Sequence, residues 1–453
     1  MKILLLYPPF CTPTAMPYSL AALKSNLLSS LQINIQCLDL NAYFHTLQFP
    51  KYYNSIQPAY QQGLTTYGKL LQDFENESRE IYAQNHKLIV HKQPPVHLQT
   101  LIQYIKEQKP DFIAFSLVYN SQCFYSEALI DELQNNPSTS SLPIIIGGPA
   151  VTSNLKKKTI FLKNEQELIT YLQNQKIQST TQSTTIIPPD FSDFKTEQYL
   201  SAKPIYPLKS STTCFYKLCT FCTHFARVPY SEYPIETIMQ TIKNHNIKYI
   251  YFIDDMISTK RLVALANALQ PLNVKWWVQL RPTKDLIPIL PQLAKAGLHT
   301  ICWGVESANQ RILDLMKKGT HLEDIPPVLT TSHTAGIKNM VYIMFGFPTE
   351  TKEEVMHSFD FLTENKDNID LICSSIFGLQ HGSTIYEHPE QYDITDIHEK
   401  QRTVLDPKIT YAISTGLTTE QTKKIRHRHM HRLGTINKFP KVFDFVKEQM
   451  LLF

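Results

Sequence analysis

Between residues 205 and 390, six short apolar runs recur at intervals that leave room for one helix between each pair. No other feature of the chain limits its fold as much. The runs lie near 207–212, 248–254, 274–280, 299–304, 338–345 and 369–378. Helical spacing of apolar residues fills Pro234–His245, Ser258–Leu269, Asp285–Ala296 and Lys352–Glu364. Strands that alternate with helices pair in parallel and are covered on both faces. Six units are too few for the eight-unit barrel, so residues 205–390 are expected to form a partial (β/α)6 barrel. In such a barrel, functional residues follow the strand ends. Asp254-Asp255, Arg281, Glu306 and Gly346 occupy those positions.

The first 180 residues show the same alternation with longer gaps. Lys2–Tyr7, Ile33–Leu40, Asp111–Val118 and Leu142–Ile146 read as strands, and Ser19–Leu31 reads as a helix. A doubly wound, Rossmann-like α/β domain over 1–180 is expected, with ligands at the carboxyl ends of its strands. Residues 42–100, rich in Tyr, Gln and Asn, suit a helical insertion. Polar low complexity over 175–187, followed by Pro188-Pro189, reads as a linker, placed at 181–204. Residues 391–453 are expected to be a helical C-terminal region, basic over 417–450.

Composition narrows the class. Hydrophobic residues are 43% of the 453 and charged residues 19%, enough for a large core. Lys plus Arg is 44 and Asp plus Glu is 40, a net charge of +4 that gives no bulk attraction to nucleic acid. No apolar run approaches the ~20 residues of a membrane helix. The opening MKILLLYPPF breaks at Pro8-Pro9 without a small-residue cleavage site, so it reads as a strand, not a signal peptide. Eight Cys, mostly scattered, suit a reducing cytoplasm better than a disulfide scaffold.

Three of those Cys are clustered. Cys214-Phe-Tyr-Lys-Leu-Cys219-Thr-Phe-Cys222 lies in the loop after the first barrel strand. Thiolates select zinc or iron–sulfur clusters. A structural zinc site takes four protein ligands. His224 is the one nearby candidate for a fourth, two residues from Cys222, and no second CxxC pair is close. Three Cys suit a 4Fe–4S cluster with one iron open to an outside ligand.

A three-Cys loop after strand one of a partial barrel resembles the radical S-adenosylmethionine enzymes. Their usual spacing is CxxxCxxC, whereas this chain has CxxxxCxxC, a longer gap of the kind found in some cobalamin-associated members. The resemblance continues through Trp303-Gly304-Val305-Glu306-Ser307, Ile312-Leu313 and Lys318-Gly319, then Phe345–Thr351, then His381–Tyr386. It implies that Cys214, Cys219 and Cys222 hold the cluster. The open iron then chelates S-adenosylmethionine, whose cleavage gives a 5′-deoxyadenosyl radical. Phe221 is placed to contact adenine, Arg281 and Glu306 to hold carboxylate and ribose, and Asp254 to face cofactor or substrate. For Arg281 and Glu306 the plainer reading is a barrel-mouth salt bridge. For Asp254 it is a loop cap.

A doubly wound domain ahead of such a barrel resembles the cobalamin-binding subclass. Ser116-Leu117 and Gly147-Gly148 match that domain's Ser-x-Leu and Gly-Gly pair, and Asn164–Glu167 stands where a Gly-Glu-x-Glu turn is common. Asp39-Leu40-Asn41 has Asn where cobalt-ligating members carry His, and Phe44 replaces their Gly, so no His ligation from this motif is expected. The subclass implies transfer of a methyl group from methylcobalamin to an unactivated carbon. The alternatives are a non-methylating radical enzyme (rearrangement, cyclisation or oxidation), with cobalamin or with a degenerate first domain that binds no corrin, and a non-catalytic iron–sulfur or zinc protein. Expected partners are a small-molecule or peptide substrate and an electron donor such as flavodoxin or ferredoxin, with neither nucleic acid nor membrane. His427 and His431 share a helix face but read as a solvated basic surface.

Overall fold

The structure is a computed structural model and describes residues 1–180, 187–223 and 228–453. His224, the candidate fourth zinc ligand, and residues 181–186 lie outside the described residues. The chain divides into two compact units. The first comprises 1–207, 240–246 and 401–407, and the second comprises 208–239, 247–400 and 408–453.

The first unit is a five-stranded parallel sheet of order β2-β1-β3-β4-β5. Its strands are β1 (Lys2–Tyr7), β2 (Asn34–Asp39), β3 (Phe112–Ser116), β4 (Ile144–Gly147) and β5 (Ile160–Phe161). Ile3, Leu4, Leu5 and Leu6 of β1 are fully buried, as a strand covered on both faces requires. The helix Tyr18–Ser30 buries Leu20, Ala21 and Leu27. The expected insertion is present as helices Leu40–Gln48, Pro50–Gln61 and Leu64–Val90, and Leu98–Glu107 then returns the chain to β3. The last helix of the insertion buries a stripe through Tyr67, Leu71, Phe74, Ser78, Asn85 and Ile89, spaced close to the helical repeat.

The expected linker is part of this unit from residue 187 onward. Phe191, Leu200 and Ile205 are buried. Lys24, also buried, pairs with Asp190 and Asp193 at 2.9 Å each. The Tyr199 hydroxyl donates to Asp39 at 2.9 Å. The polar composition that suggested a linker ends near 187, and beyond it four aromatic residues, Phe191, Phe194, Tyr199 and Tyr206, supply surface to bury.

All six expected barrel strands are present: β6 (Tyr206–Leu208), β7 (Tyr249–Phe252), β8 (Lys275–Leu280), β9 (Leu298–Glu306), β10 (Lys338–Phe345) and β11 (Leu371–Ile376). They neighbour one another in chain order, and the pairings from β7 to β11 are parallel. Side chains alternate between the faces of each strand. One face carries Trp276, Val278 and Leu280 of β8, Trp303 of β9 and Phe345 of β10, all buried. Phe345 stacks on Phe359 of helix Lys352–Glu364 at 4.7 Å between centroids, which marks this as the helix-covered face. The opposite, interior face therefore carries Trp277, Gln279 and Arg281 from β8 and its extension, with Cys302 and Gly304 from β9 and Tyr342 from β10.

Residues 391–453 are not helical throughout. An antiparallel hairpin, β12 (Ile394–Lys400) and β13 (Lys408–Ile413), precedes a capped helix, Thr419–Ile436. Short 3-10 turns, Lys441–Asp444 and Lys447–Leu452, end the chain. Strand β13 alternates half-buried Ile409, Tyr411 and Ile413 with exposed residues, as a half-exposed strand does. No helix of the described residues is long and apolar enough to cross a membrane.

Candidate active site

The cysteine loop follows β6 and is held at its start by Asp254, which follows β7. Ser210 donates its backbone N–H to Asp254 Oδ2 at 2.8 Å, and the Ser210 and Ser211 hydroxyls donate to Oδ1 at 2.9 and 2.7 Å. Asp254 is buried, and burial pushes its carboxyl above the ordinary value while these bonds pull it back. Its oxygens are thus spent on the loop. These bonds are those of a loop cap, the plainer of the two readings of Asp254.

The far end of the loop is anchored to the segment after β9. Thr220 donates its N–H to the Met316 carbonyl at 3.0 Å and its hydroxyl to the Leu315 carbonyl at 3.1 Å, and its own carbonyl accepts from Ile385 N–H at 3.0 Å. Between the anchors, the four residues separating Cys214 from Cys219 diverge, Leu218 to solvent and Tyr216 onto the barrel end. Lys217 takes a left-handed conformation, φ 56°, and Tyr216 tucks beneath Arg281. The Arg281 guanidinium stands 3.6 Å from the Tyr216 ring centroid, and the Tyr216 hydroxyl donates to the Lys317 carbonyl at 2.9 Å. Gly319 makes this possible. A Cβ there would lie 2.2 Å from the Tyr216 oxygen and 2.7 Å from an Arg281 nitrogen, and its φ of 64° also favours glycine.

Arg281 and Glu306 are joined through Lys318, part of the Lys318-Gly319 motif. Arg281 donates to the Lys318 carbonyl at 2.6 Å, and Lys318 Nζ lies 2.8 Å from Glu306 Oε1. Gly304 leaves room for that ion pair, since a Cβ there would meet Lys318 Nζ at 2.8 Å. Glu306 sits at a strand irregularity with φ 64°, a conformation that costs energy and is held by its surroundings. Phe221 lies beside the pair, its ring 5.9 Å from Lys318 Nζ. Burial works against the charge of Lys318, but Glu306 and Cys219 hold its pKa above the ordinary value. Burial raises the Cys219 thiol, and Lys318 and Arg281 oppose that rise. The carboxyl end of the barrel therefore brings two cations and one carboxylate to a loop that carries three thiols, with Cys219 beside the cations.

The fit to a cluster and its ligand rests on the donors. Cys214, Cys219 and Cys222 are partly exposed and none forms a disulfide. Among the described residues no three His, Cys, Asp or Glu side chains converge as a metal-ion cluster, so the thiols stand apart on the loop. Three soft donors on one loop fit an iron–sulfur cluster better than a closed zinc site. Arg281 Nε is buried without a hydrogen-bond partner, as a donor awaiting an anion would be.

In the first unit, Ser116, Gly147 and Gly148 line one cavity of about 320 Å³ at the carboxyl ends of β3 and β4. Ser19, Leu23, Ile146, Leu162, Asn164 and Glu165 complete much of its wall. Gly148, φ 111°, is pressed so closely on Leu117 that a Cβ would lie 2.2 Å from its carbonyl oxygen. Asn41 is elsewhere. Its amide oxygen accepts from Cys11 N–H at 2.9 Å and it is buried, so it supports the loop after β1. Phe44, beside it in sequence, is core, packed edge-on against Phe10.

Comparison with known proteins agrees with this geometry. A search of curated proteins matches an uncharacterized methyltransferase of Pyrococcus horikoshii, 23% identical over 218 residues, 46% of each chain. It also matches a bacteriochlorophyllide d C-12(1)-methyltransferase of Chlorobaculum tepidum, 26% identical over 201 residues, 40% of this chain and 43% of that one. The chain thus matches less than half the length of these relatives. Among solved structures, the radical S-adenosylmethionine methyltransferase TsrM of Kitasatospora setae superimposes with a TM-score of 0.66 at 14% identity. That superposition covers 99% of this chain and 95% of TsrM. The cobalamin-dependent S-adenosylmethionine radical enzyme OxsB gives a TM-score of 0.62 at 15% identity, over 95% of this chain and 66% of its own. At such identities the likeness is one of fold. Residues 208–362 match the Radical SAM superfamily, so the barrel of this chain is a radical SAM domain, with a 4Fe–4S cluster and S-adenosylmethionine as the cofactors that domain implies.

Proposed function

We propose that the protein is a cobalamin-dependent radical S-adenosylmethionine methyltransferase acting on an unactivated carbon of a small-molecule substrate. The observation that carries the cobalamin half is the cavity lined by Ser116, Gly147 and Gly148. Its walls are largely apolar, it opens at the carboxyl edge of a parallel sheet, and glycine backbone borders it. Those properties suit the flat aromatic base of a nucleotide tail.

Bound together, these cofactors supply a deoxyadenosyl radical and a transferable methyl group. The chain's own residues do the rest. Cys214, Cys219 and Cys222 ligate. Arg281 offers its unpartnered Nε–H to a carboxylate. Glu306, fixed by Lys318, presents its second oxygen to hydroxyl donors. Phe221 provides an apolar face beside them. A full-length fold likeness to a methyltransferase, together with two curated methyltransferase relatives, supports methyl transfer over the other radical reactions.

The test is reconstitution without oxygen in iron, sulfide and hydroxocobalamin, followed by desalting and metal analysis. About four irons and about one cobalt per chain are expected, with both S-adenosylhomocysteine and 5′-deoxyadenosine formed on turnover. Iron without cobalt overturns the cobalamin half. Deoxyadenosine alone, with cobalt bound, overturns methylation.

A further inference from the structure

The interior of the barrel holds a cation that the proposed chemistry does not use. The turn Lys447–Leu452, near the chain's end, lies at the amino ends of the barrel strands. Met450, Leu451 and Leu452 are buried, and the backbone of Phe453 bonds His299 at the start of β9. From this turn Lys447 reaches into the barrel. Its Nζ donates to the Tyr342 hydroxyl at 2.6 Å and stands 5.2 and 5.7 Å from the ring centroids of Tyr342 and Trp277. The Tyr342 hydroxyl is in turn hydrogen-bonded to the Cys302 thiol.

These partners give the cation a hydroxyl and two ring faces but no ion pair. Among the described residues no carboxylate oxygen forms an ion pair with Lys447. Asp444, on the same tail, pairs with Lys441 at 3.0 Å, and buried Glu448 favours the charge of Lys447 less than Tyr342 and Cys302 do. Burial opposes the charge of Lys447, while Tyr342 and Cys302 favour it, and the net direction of its pKa is upward. A second observation points to a ligand. Trp277, on the interior face of β8 and 1% exposed, has its Nε1–H buried without an acceptor. An ammonium that gives one N–H to a hydroxyl and keeps others, over an indole whose own N–H has no acceptor, leaves buried donors that suit an anion. Gln279 and Arg281 follow Trp277 on the same face of β8. Four residues of strand put Trp277 about 13 Å below Arg281, a distance suited to a small molecule.

We propose that the amino-terminal floor of the barrel interior is an anion site, built on Lys447 and Trp277, that seats a carboxylate of the substrate. Identifying the anion as part of the substrate rests on the radical enzyme reading, whereas the site itself does not. Its neighbours also set a preference. Tyr342 and Trp277 flank the ammonium with aromatic faces, so an acid whose carboxylate is carried on a flat apolar body is favoured over a phosphate or a dianion.

The experiment uses iodide as the anionic quencher of tryptophan fluorescence in the full-length, reconstituted protein. The share of signal belonging to Trp277 is taken from Trp277→Phe. Acrylamide, a neutral quencher, reports plain access. For that share, the iodide quenching constant is expected to fall at least fivefold in Lys447→Met and to stay within twofold of wild type in Lys447→Arg. Acrylamide quenching should be unchanged in both. Acetate, and not acetamide, should relieve iodide quenching in the wild type. Equal iodide quenching in wild type and Lys447→Met, or equal relief by acetate and acetamide, overturns the proposal. If Lys447→Met does not fold, Lys447→Gln, which keeps a donor but not the charge, replaces it with the same fivefold criterion. Wild-type protein that binds the anion but never cleaves S-adenosylmethionine overturns the enzyme reading and leaves the site standing.

Discussion

At the scale of single residues, the longer cysteine gap gives the loop an extra side chain and the structure shows how it is used. Tyr216 packs on Arg281 and bonds the Lys317 carbonyl, so loop and barrel end are latched together. A cation–π contact contributes about 1 kcal/mol, near a fivefold effect on an equilibrium. Tyr216→Ala is therefore expected to weaken S-adenosylmethionine binding about fivefold in equilibrium dialysis while leaving iron per chain unchanged. Tyr216→Phe, which keeps the ring, should bind within twofold of wild type. Equal affinity in all three would remove the latch. Glu350 supplies a pH test. It is fully buried, Gly346 N–H donates to one oxygen at 2.6 Å, and the other oxygen has no partner. Burial raises its carboxyl to about 8. A carboxyl whose folded pKa exceeds its unfolded one stabilises the fold below the unfolded value, and that stability is lost as pH rises through the folded value. Wild type should thus lose stability relative to Glu350→Gln between about pH 4.5 and 8. The sum should be no more than a few kcal/mol, read from urea unfolding at a series of pH values. A gap between the two that does not change with pH would contradict the assignment.

At the scale of elements, Lys24 ties the segment after residue 187 to the first helix through Asp190, Asp193 and Ser192. Removing one partner of a buried ion pair leaves the others uncompensated, although both carboxylates keep some solvent. Lys24→Met is expected to cost about 1–3 kcal/mol and to speed tryptic cleavage at Lys195 about tenfold. Unchanged cleavage would show that the segment is held by its aromatic residues alone. The same segment shows where sequence reading stops. The barrel strands were legible because each apolar run is long enough to show its period and is followed by a helix with its own. Cys214, Cys219 and Cys222 were legible because nothing but their spacing is needed to notice them. β5 is two residues long and carries no period. The β12–β13 hairpin does alternate, in Lys408-Ile-Thr-Tyr-Ala-Ile413, but its charged residues masked it beside a basic helix. The Lys318–Glu306 pair and Asp254's role as a cap depend on contacts between distant loops, which no local pattern encodes. Lys318 was nonetheless in view, since Lys318-Gly319 had been quoted as a motif.

At the scale of the whole molecule, the proposed function assigns one cofactor set to each unit, and the two can be unloaded separately. The first unit's cavity is closed on one side by Ser116, whose hydroxyl lies 3.0 Å from that of Ser19. Ser116→Trp fills the cavity with an indole from the last residue of β3. Filling should exclude a nucleotide tail through plain overlap, since interiors are close-packed and an occupied volume cannot be shared. Cobalt per chain is therefore expected to fall at least tenfold after reconstitution with cobalamin, and iron per chain to stay at wild-type level. Cobinamide, the corrinoid without the nucleotide tail, separates this effect from damage to the domain. It should bind wild type and Ser116→Trp alike, because neither has a tail to place. Loss of cobinamide as well would mean that the substitution disturbed the sheet, and Leu168→Trp, which enters the same cavity from the helix Glu165–Asn174, would then be the variant to read. Full cobalamin binding by both variants would show that the tail lies elsewhere. The cavity would then be a packing feature of the fold, and the radical chemistry of the barrel would have to be sought without a methyl donor from the first unit.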